Sequence, residues 1–245
     1  MSNFIIDAKA ISLRYPKEAV YALNSVSLTV ETGSFFGLLG PNGSGKTTLI
    51  SILCGLLAAT AGHARVCGYD CKRQISAIKP LIGLAPQKIA LYPSLTLYEN
   101  LMLFASLYTL TSLQIKQQIE KCLQIVELET QAYKKIYTFS GGMMRRANLA
   151  ASLLHNPKLL FLDEPTSQVD AHARNMIFKS LQIINASGVT IIYTSHYLEE
   201  IETLCTKTAI LKQGKIIATD SITELKRQHP DKTSFAEIYL SLTES

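Results

Sequence analysis

The segment Gly40-Pro41-Asn42-Gly43-Ser44-Gly45-Lys46-Thr47 sets three glycines, a lysine and a hydroxyl residue at the spacing of a Walker A loop. Glycines in such a loop let backbone N–H groups close around phosphate oxygens. Lys46 then reaches the outer phosphates, and the Thr47 hydroxyl is a ligand for Mg²⁺. Thr48 adds a second hydroxyl toward a phosphate. Glycines at a helix start are costly unless something must approach the backbone, so Gly40 to Thr48 read as a phosphate cradle. By itself that says nucleotide binding and leaves kinases, GTPases and helicases open. A second chemical feature lies downstream, where the apolar run Leu159-Leu160-Phe161-Leu162 ends in Asp163-Glu164. A carboxylate at the end of a buried strand is costly without a partner, which points Asp163 at Mg²⁺, directly or through a water.

These residues need a scaffold, and the periodicities supply one. Phe35 to Leu39 is a continuous apolar run entering the Gly-rich loop, and helical spacing follows from Thr47 to Leu57. That is the strand, loop, helix context a phosphate loop requires. Period two in Ile11, Leu13 and Tyr15, and again in Val26, Leu28 and Val30, predicts half-buried strands near the N-terminus. From about Leu91 to Asn156 the pattern turns helical, with Ile115, Ile119, Cys122, Leu123 and Val126 in register and no glycine between Gly83 and Gly141. Buried strands return at Leu159–Leu162 and Thr190–Thr194, each before a polar segment able to form a helix, which implies a parallel sheet covered on both faces. Ala209–Leu211 and Ile216–Ala218 flank Lys212-Gln213-Gly214-Lys215 as a hairpin, and Phe235, Ile238, Tyr239 and Leu242 are spaced for one helix.

Bulk properties narrow the setting. The chain has 245 residues, 47% of them hydrophobic, and a formal charge of +5. Its basic residues are interspersed, so a solvated surface is favoured over a nucleic-acid patch. No run approaches the roughly 18 apolar residues of a membrane span, and Met1 to Ala10 carries Asp7 and Lys9 with no signal-peptide core. A cytoplasmic protein is expected. Five scattered cysteines read as reduced thiols filling core space.

With Walker A, Ser140-Gly141-Gly142, the strand ending in Asp163-Glu164, Gln87 and His196 following in order, the chain resembles the ATP-binding subunit of an ABC transporter from about Ile11 to Leu225. The resemblance implies an α/β fold of the P-loop NTPase (RecA-like) type. Its mostly parallel core would carry an N-terminal antiparallel β subdomain and a helical subdomain inserted at about 91–156, within a catalytic domain of residues 1–225 and before a short helical tail at 226–245. It implies ATP and Mg²⁺ as cofactors. Tyr15 would stack on adenine, its alternative being an inward-packing strand residue. Gln87, in Ala85-Pro86-Gln87, would contact Mg²⁺ and the attacking water. Glu164 would be the general base, with an ordinary helix-start acid as the bland alternative. His196 would contact the γ-phosphate. His63, His155, His172 and His229 are assigned no role.

Locally, Ser140 is a helix cap. The resemblance keeps the cap and aims that helix start, with Gly141 and Gly142, at ATP bound by a second subunit. Two departures stand out: Met143 replaces the usual glutamine, which resembles a branch of drug and ABC-2 type exporters, and Gln168 replaces a small residue in Ser167-Gln168-Val169-Asp170. The implied partners are a second ABC ATPase domain, identical or different, and an integral membrane permease docking near Ile89, Leu91, Tyr92, Leu95 and Leu97 to Leu103, most of which would pack in the helical subdomain's own core with a minority facing the partner. No nucleic acid is expected. The function implied is ATP-driven export of drugs, lipids or other small molecules, from a position at the inner face of the membrane. A soluble ABC-type clamp or switch is the alternative.

Overall fold

The computed structural model describes residues 4–16 and 18–244. Met1–Asn3, within the expected leaderless start, and Ser245, the end of the expected tail, lie outside the described residues. The chain divides into two compact units, Met1–Lys79 with Thr190–Ser245, and Pro80–Val189.

In chain order, the first unit supplies β1 (Phe4–Leu13), β2 (Leu23–Glu31), β3 (Phe35–Leu39), α1 (Lys46–Leu53), β4 (Ala61–Val66), β5 (Tyr69–Asp70) and α2 (Ile75–Ile78). The second supplies β6 (Ile82–Ala85), α3 (Leu97–Ala105), α4 (Ser112–Ile125), α5 (Gly141–Leu153), β7 (Leu159–Asp163) and α6 (Ala171–Ala186). The chain then returns to the first with β8 (Thr190–Thr194), α7 (Leu198–Leu204), β9 (Lys207–Lys212), β10 (Lys215–Asp220), α8 (Ile222–Gln228) and α9 (Phe235–Glu244).

Two sheets build the first unit. One is antiparallel in the order β2-β1-β4-β5, with Ala8 opposite Leu28 and Ile11 opposite Val26. Val26, Leu28 and Val30 of β2 are buried in alternation, as period two demands of a sheet with one solvated face, whereas in β1 the alternation of Ile6 with Ala8 and of Ile11 with Leu13 is broken at the exposed Lys9-Ala10, where the register shifts. In the other, β3 pairs in parallel with both β8 and β9, and β10 returns antiparallel from β9 through Gln213-Gly214. Every residue of β3 and β8 is buried, which is why both read as unbroken apolar runs. Phe235 and Ile238 of α9 are fully buried as well.

In the second unit, β6 and β7 pair in parallel, and β7 is buried from end to end. The helices start on sharp local signals. Thr96 with Glu99, and Thr111 with Gln114, form reciprocal capping boxes at α3 and α4. Arg146 of α5 closes the other end of α4, donating from Nη1 to the carbonyls of Val126 at 2.7 Å and Glu127 at 3.0 Å. β4, β5, β6, α2 and α8 were absent from the sequence expectation, while β1 ends at Leu13 rather than Tyr15 and α1 at Leu53 rather than Leu57.

Candidate functional site

The phosphate loop leaves β3, and α1 begins at Lys46. Its cap residue, Gly45, sits at φ +109° and makes no side-chain cap hydrogen bond to the helix. A Cβ on Gly45 would come within 2.6 Å of the Ala22 carbonyl oxygen, whereas a Cβ on Gly43 (φ +78°) would meet nothing within 4 Å. Glycine is therefore required for different reasons: Gly45 for the loop's own packing, Gly43 for its turn and an open face. Lys46 is almost wholly buried, and its ammonium donates to the carbonyls of Gly40 at 2.7 Å and Pro41 at 3.1 Å. The Ser44 hydroxyl is buried with no hydrogen-bond partner in the protein. Such an orphan is costly unless a ligand completes it.

Tyr15 is half-buried beyond the end of β1, and its hydroxyl lies 3.2 Å from Thr48 Oγ1. The ring is thus tied to the phosphate loop. Thr47 is exposed. At the end of β8, Ser195 Oγ donates to Glu200 Oε2 at 2.6 Å and accepts from Tyr197 N at 3.0 Å, while Tyr193 Oη donates to the same carboxylate oxygen at 2.9 Å. This fixes the turn that presents the exposed His196, whose ring lies 4.1 Å from that of Tyr197.

In the second unit, Asp163 closes β7 and is nearly buried, and Glu164 follows at φ +49°. Few non-glycine residues adopt that backbone region, and those that do are concentrated at functional sites. Gln87, two residues past β6, donates from Nε2 to Glu164 Oε2 at 3.0 Å. Ser140 caps α5 by accepting from Met143 N at 3.2 Å. Gly141 is exposed and Gly142 buried, where an added Cβ would lie 2.4 Å from Ala173 Cβ of α6. Asp170 caps α6 by accepting from Ala173 N at 2.8 Å, and this backbone bond, first among several causes, holds its carboxyl below the usual range.

Two contributors went unread in the sequence. Arg145 donates to the carbonyl of Gln87 and, at 3.4 Å, to that of Ser167. Asn148 Nδ2 donates to the Pro86 carbonyl at 3.2 Å, and its Oδ1 accepts from Ala90 N at 3.4 Å. The available signal for Asn148 was an amide set among Ala147, Leu149 and Ala150.

The residues fit the implied groups. An orphaned hydroxyl beside a helix start without a side-chain cap suits phosphate. Of the residues expected at Mg²⁺, Thr47 of the first unit offers a hydroxyl, and Asp163 and Gln87 of the second a carboxylate and an amide oxygen, each a hard donor of the kind Mg²⁺ prefers.

The family model for the ABC transporter matches residues 23–167. Over 221 residues the chain is 43% identical to the linearmycin resistance ATP-binding protein LnrL of Bacillus subtilis (strain 168), covering 90% of this chain and 70% of that protein. The chain belongs to the ABC transporter family. This ABC subunit is also 37% identical over 229 residues to the Nod factor export ATP-binding protein I of Rhizobium sp. (strain N33), covering 94% of this chain and 75% of that one. It superposes on an ATP-binding subunit of an ABC transporter with a TM-score of 0.87 at 26% identity, covering 97% and 99% of the two chains. A dimeric ATP-binding cassette in a post-hydrolysis state bound to ADP and Pi gives a TM-score of 0.79 at 26% identity, covering 88% and 98%. The fold is accordingly the P-loop NTPase α/β fold of ABC cassettes, and the ABC subunit is an ATPase using ATP and Mg²⁺. No helix among the described residues is long and apolar enough to cross a membrane.

Proposed function

We propose that this ABC subunit powers an exporter: it closes head to tail on a second ABC ATPase domain around ATP, and the opening that follows hydrolysis drives a separate integral membrane permease. The observation that carries the binding half is the phosphate loop, with its buried unpartnered Ser44 hydroxyl at the start of α1. The loop amides, Ser44, Lys46 and Thr48 would bind phosphate oxygens, and Tyr15 the adenine. Thr47, Asp163 and Gln87 would hold Mg²⁺, which when bound neutralises charge on the outer phosphates. Glu164 would orient the attacking water and accept its proton, with His196 against the γ-phosphate. The start of α5, where Ser140 and Gly141 are exposed and Gly142 is buried behind them, would meet the γ-phosphate held by the other copy.

Affinity for ATP in the closed pair that exceeds affinity for products makes each turnover a cycle of closure and release. Residues 1–225 would form the catalytic domain, with the helical part at 91–156 carrying the motion and 226–245 as a tail. Of the apolar residues expected near a permease, Leu91, Leu97 and Leu101 are buried, while Tyr92, Met102 and Leu103 are exposed and supply the docking face. Export of a drug-like, lipid or other small molecule is supported by Met143 and by relatives named for linearmycin resistance and Nod factor export. The protein would then sit at the inner face of the cell membrane through its permease.

Affinity capture of the tagged chain from detergent-solubilised membranes tests this. Stoichiometric recovery of an integral membrane protein that stimulates ATP hydrolysis is expected, and recovery of soluble proteins alone would favour a clamp.

A further inference from the structure

The polar face of α5 grips the loop that carries Gln87 at three points. Arg145 bonds the Gln87 carbonyl, and Asn148, one turn further along the same face, takes the Pro86 carbonyl and the Ala90 N–H. Arg145 is half-buried and also bonds the Ser167 carbonyl, three residues beyond Glu164. Asn148 is buried, so an amide there is tolerated because both of its ends are bonded. Burial pulls the Arg145 guanidinium below its usual value and the Glu164 carboxylate opposes that, so the two charges feel one another.

We propose that Arg145 and Asn148 are positioning residues: they clasp residues 86–90 to α5, so that the orientation of the helix headed by Ser140 is transmitted through the backbone to the Gln87 amide and thence to Glu164. The physical reason lies in the shortness of the path. Gln87 Nε2 reaches Glu164 Oε2 at 3.0 Å only while the Gln87 backbone is held, and that backbone, two residues out of β6, has its carbonyl on Arg145. A rotation of α5 moves Arg145 and Asn148 together, because residues three apart share one helix face. The loop follows as a unit. Nucleotide at the start of α5 and the water-handling glutamate would thus be coupled by hydrogen bonds alone, with no change in the core.

This rests on the roles given above to Gln87 and Glu164, and the test separates the two. With every other residue unchanged, Arg145→Ala should lower kcat for ATP about tenfold, as expected for loss of its charge-assisted hydrogen bond to the Gln87 carbonyl, the 3.4 Å bond to Ser167 adding little, with KM within about twofold. Because it acts through Gln87, the same substitution in a Gln87→Ala background should cost less than about twofold. Arg145→Lys should recover part of the rate. Equal losses in both backgrounds would overturn the clasp, whereas wild-type hydrolysis by Glu164→Gln would overturn the reading of the site instead. Hydrogen exchange gives a readout independent of activity: Asn148→Leu should raise exchange about tenfold in the segment 86–90, through the freed Ala90 N–H, without changing β7. Unchanged exchange at 86–90 would also overturn the proposal.

Discussion

Gln87 Nε2 donates to Glu164 Oε2 at 3.0 Å, although the two residues are separated by 77 positions in the chain. The bond occupies one oxygen of the carboxylate proposed to activate water. Replacing Glu164 by Gln removes the base while keeping its size, so hydrolysis should fall about 100-fold or more. Binding of a fluorescent ATP analogue should change little. A variant that still hydrolyses ATP at the parental rate would remove Glu164 from the mechanism.

Gly45→Ala tests the loop itself. Its Cβ would approach the Ala22 carbonyl to 2.6 Å at a φ of +109°, so the loop must shift to admit it. Nucleotide affinity should drop by more than tenfold, as measured by equilibrium binding, and thermal unfolding should come earlier because strain at such a φ costs about 1–3 kcal/mol.

The two glycines at the start of α5 should behave oppositely. A Cβ on Gly142 would meet Ala173 Cβ at 2.4 Å, so Gly142→Ala overpacks α5 against α6 and should cost about 1–3 kcal/mol in denaturant melts. A Cβ on Gly141 would lie an ordinary 3.7 Å from the Gln168 carbonyl oxygen. Gly141→Ala should keep full stability yet lose ATPase activity about tenfold, the extra methyl standing where the phosphate held by the proposed second copy would approach.

His155 makes stability depend on pH. It stacks on Tyr108 at 4.1 Å and donates from Nε2 to the Ile82 carbonyl at 2.7 Å, while burial lowers its pKa below the ordinary value despite that bond. A depressed folded pKa means the unfolded chain binds the proton first. Its contribution to stability is therefore complete above about pH 6.5 and is lost as pH falls from there through the folded value. The melting temperature should drop between pH 7 and pH 5, and His155→Phe should flatten that part of the profile.

Elements that bury both faces or alternate strictly were legible: β3, β7 and β8 as apolar runs, β2 and much of β1 by period two, and α4 by its apolar face. The β4–β5 hairpin was not, because Ala61–Val66 buries just two of its six residues and β5 is two residues long. The four residues of β6 carry too short a pattern to read. The capping boxes at Thr96 and Thr111 stand in the sequence as Thr-x-x-Glu and Thr-x-x-Gln, the local signal that starts α3 and α4. For the site, the chemistry was readable from residue types, while Arg145 and Asn148 were not, since what gives them a role is the loop packed against their helix.

In the proposed pair, a working site takes Lys46 from one copy and Ser140 from another. Mixing Lys46→Ala with Ser140→Arg puts this to a complementation test: each variant alone should be inactive, whereas the mixed pair assembles one intact site and should regain a substantial share of the ATPase rate. A mixture as inactive as its two components, under conditions where the parental chain dimerises with ATP, would contradict the composite site.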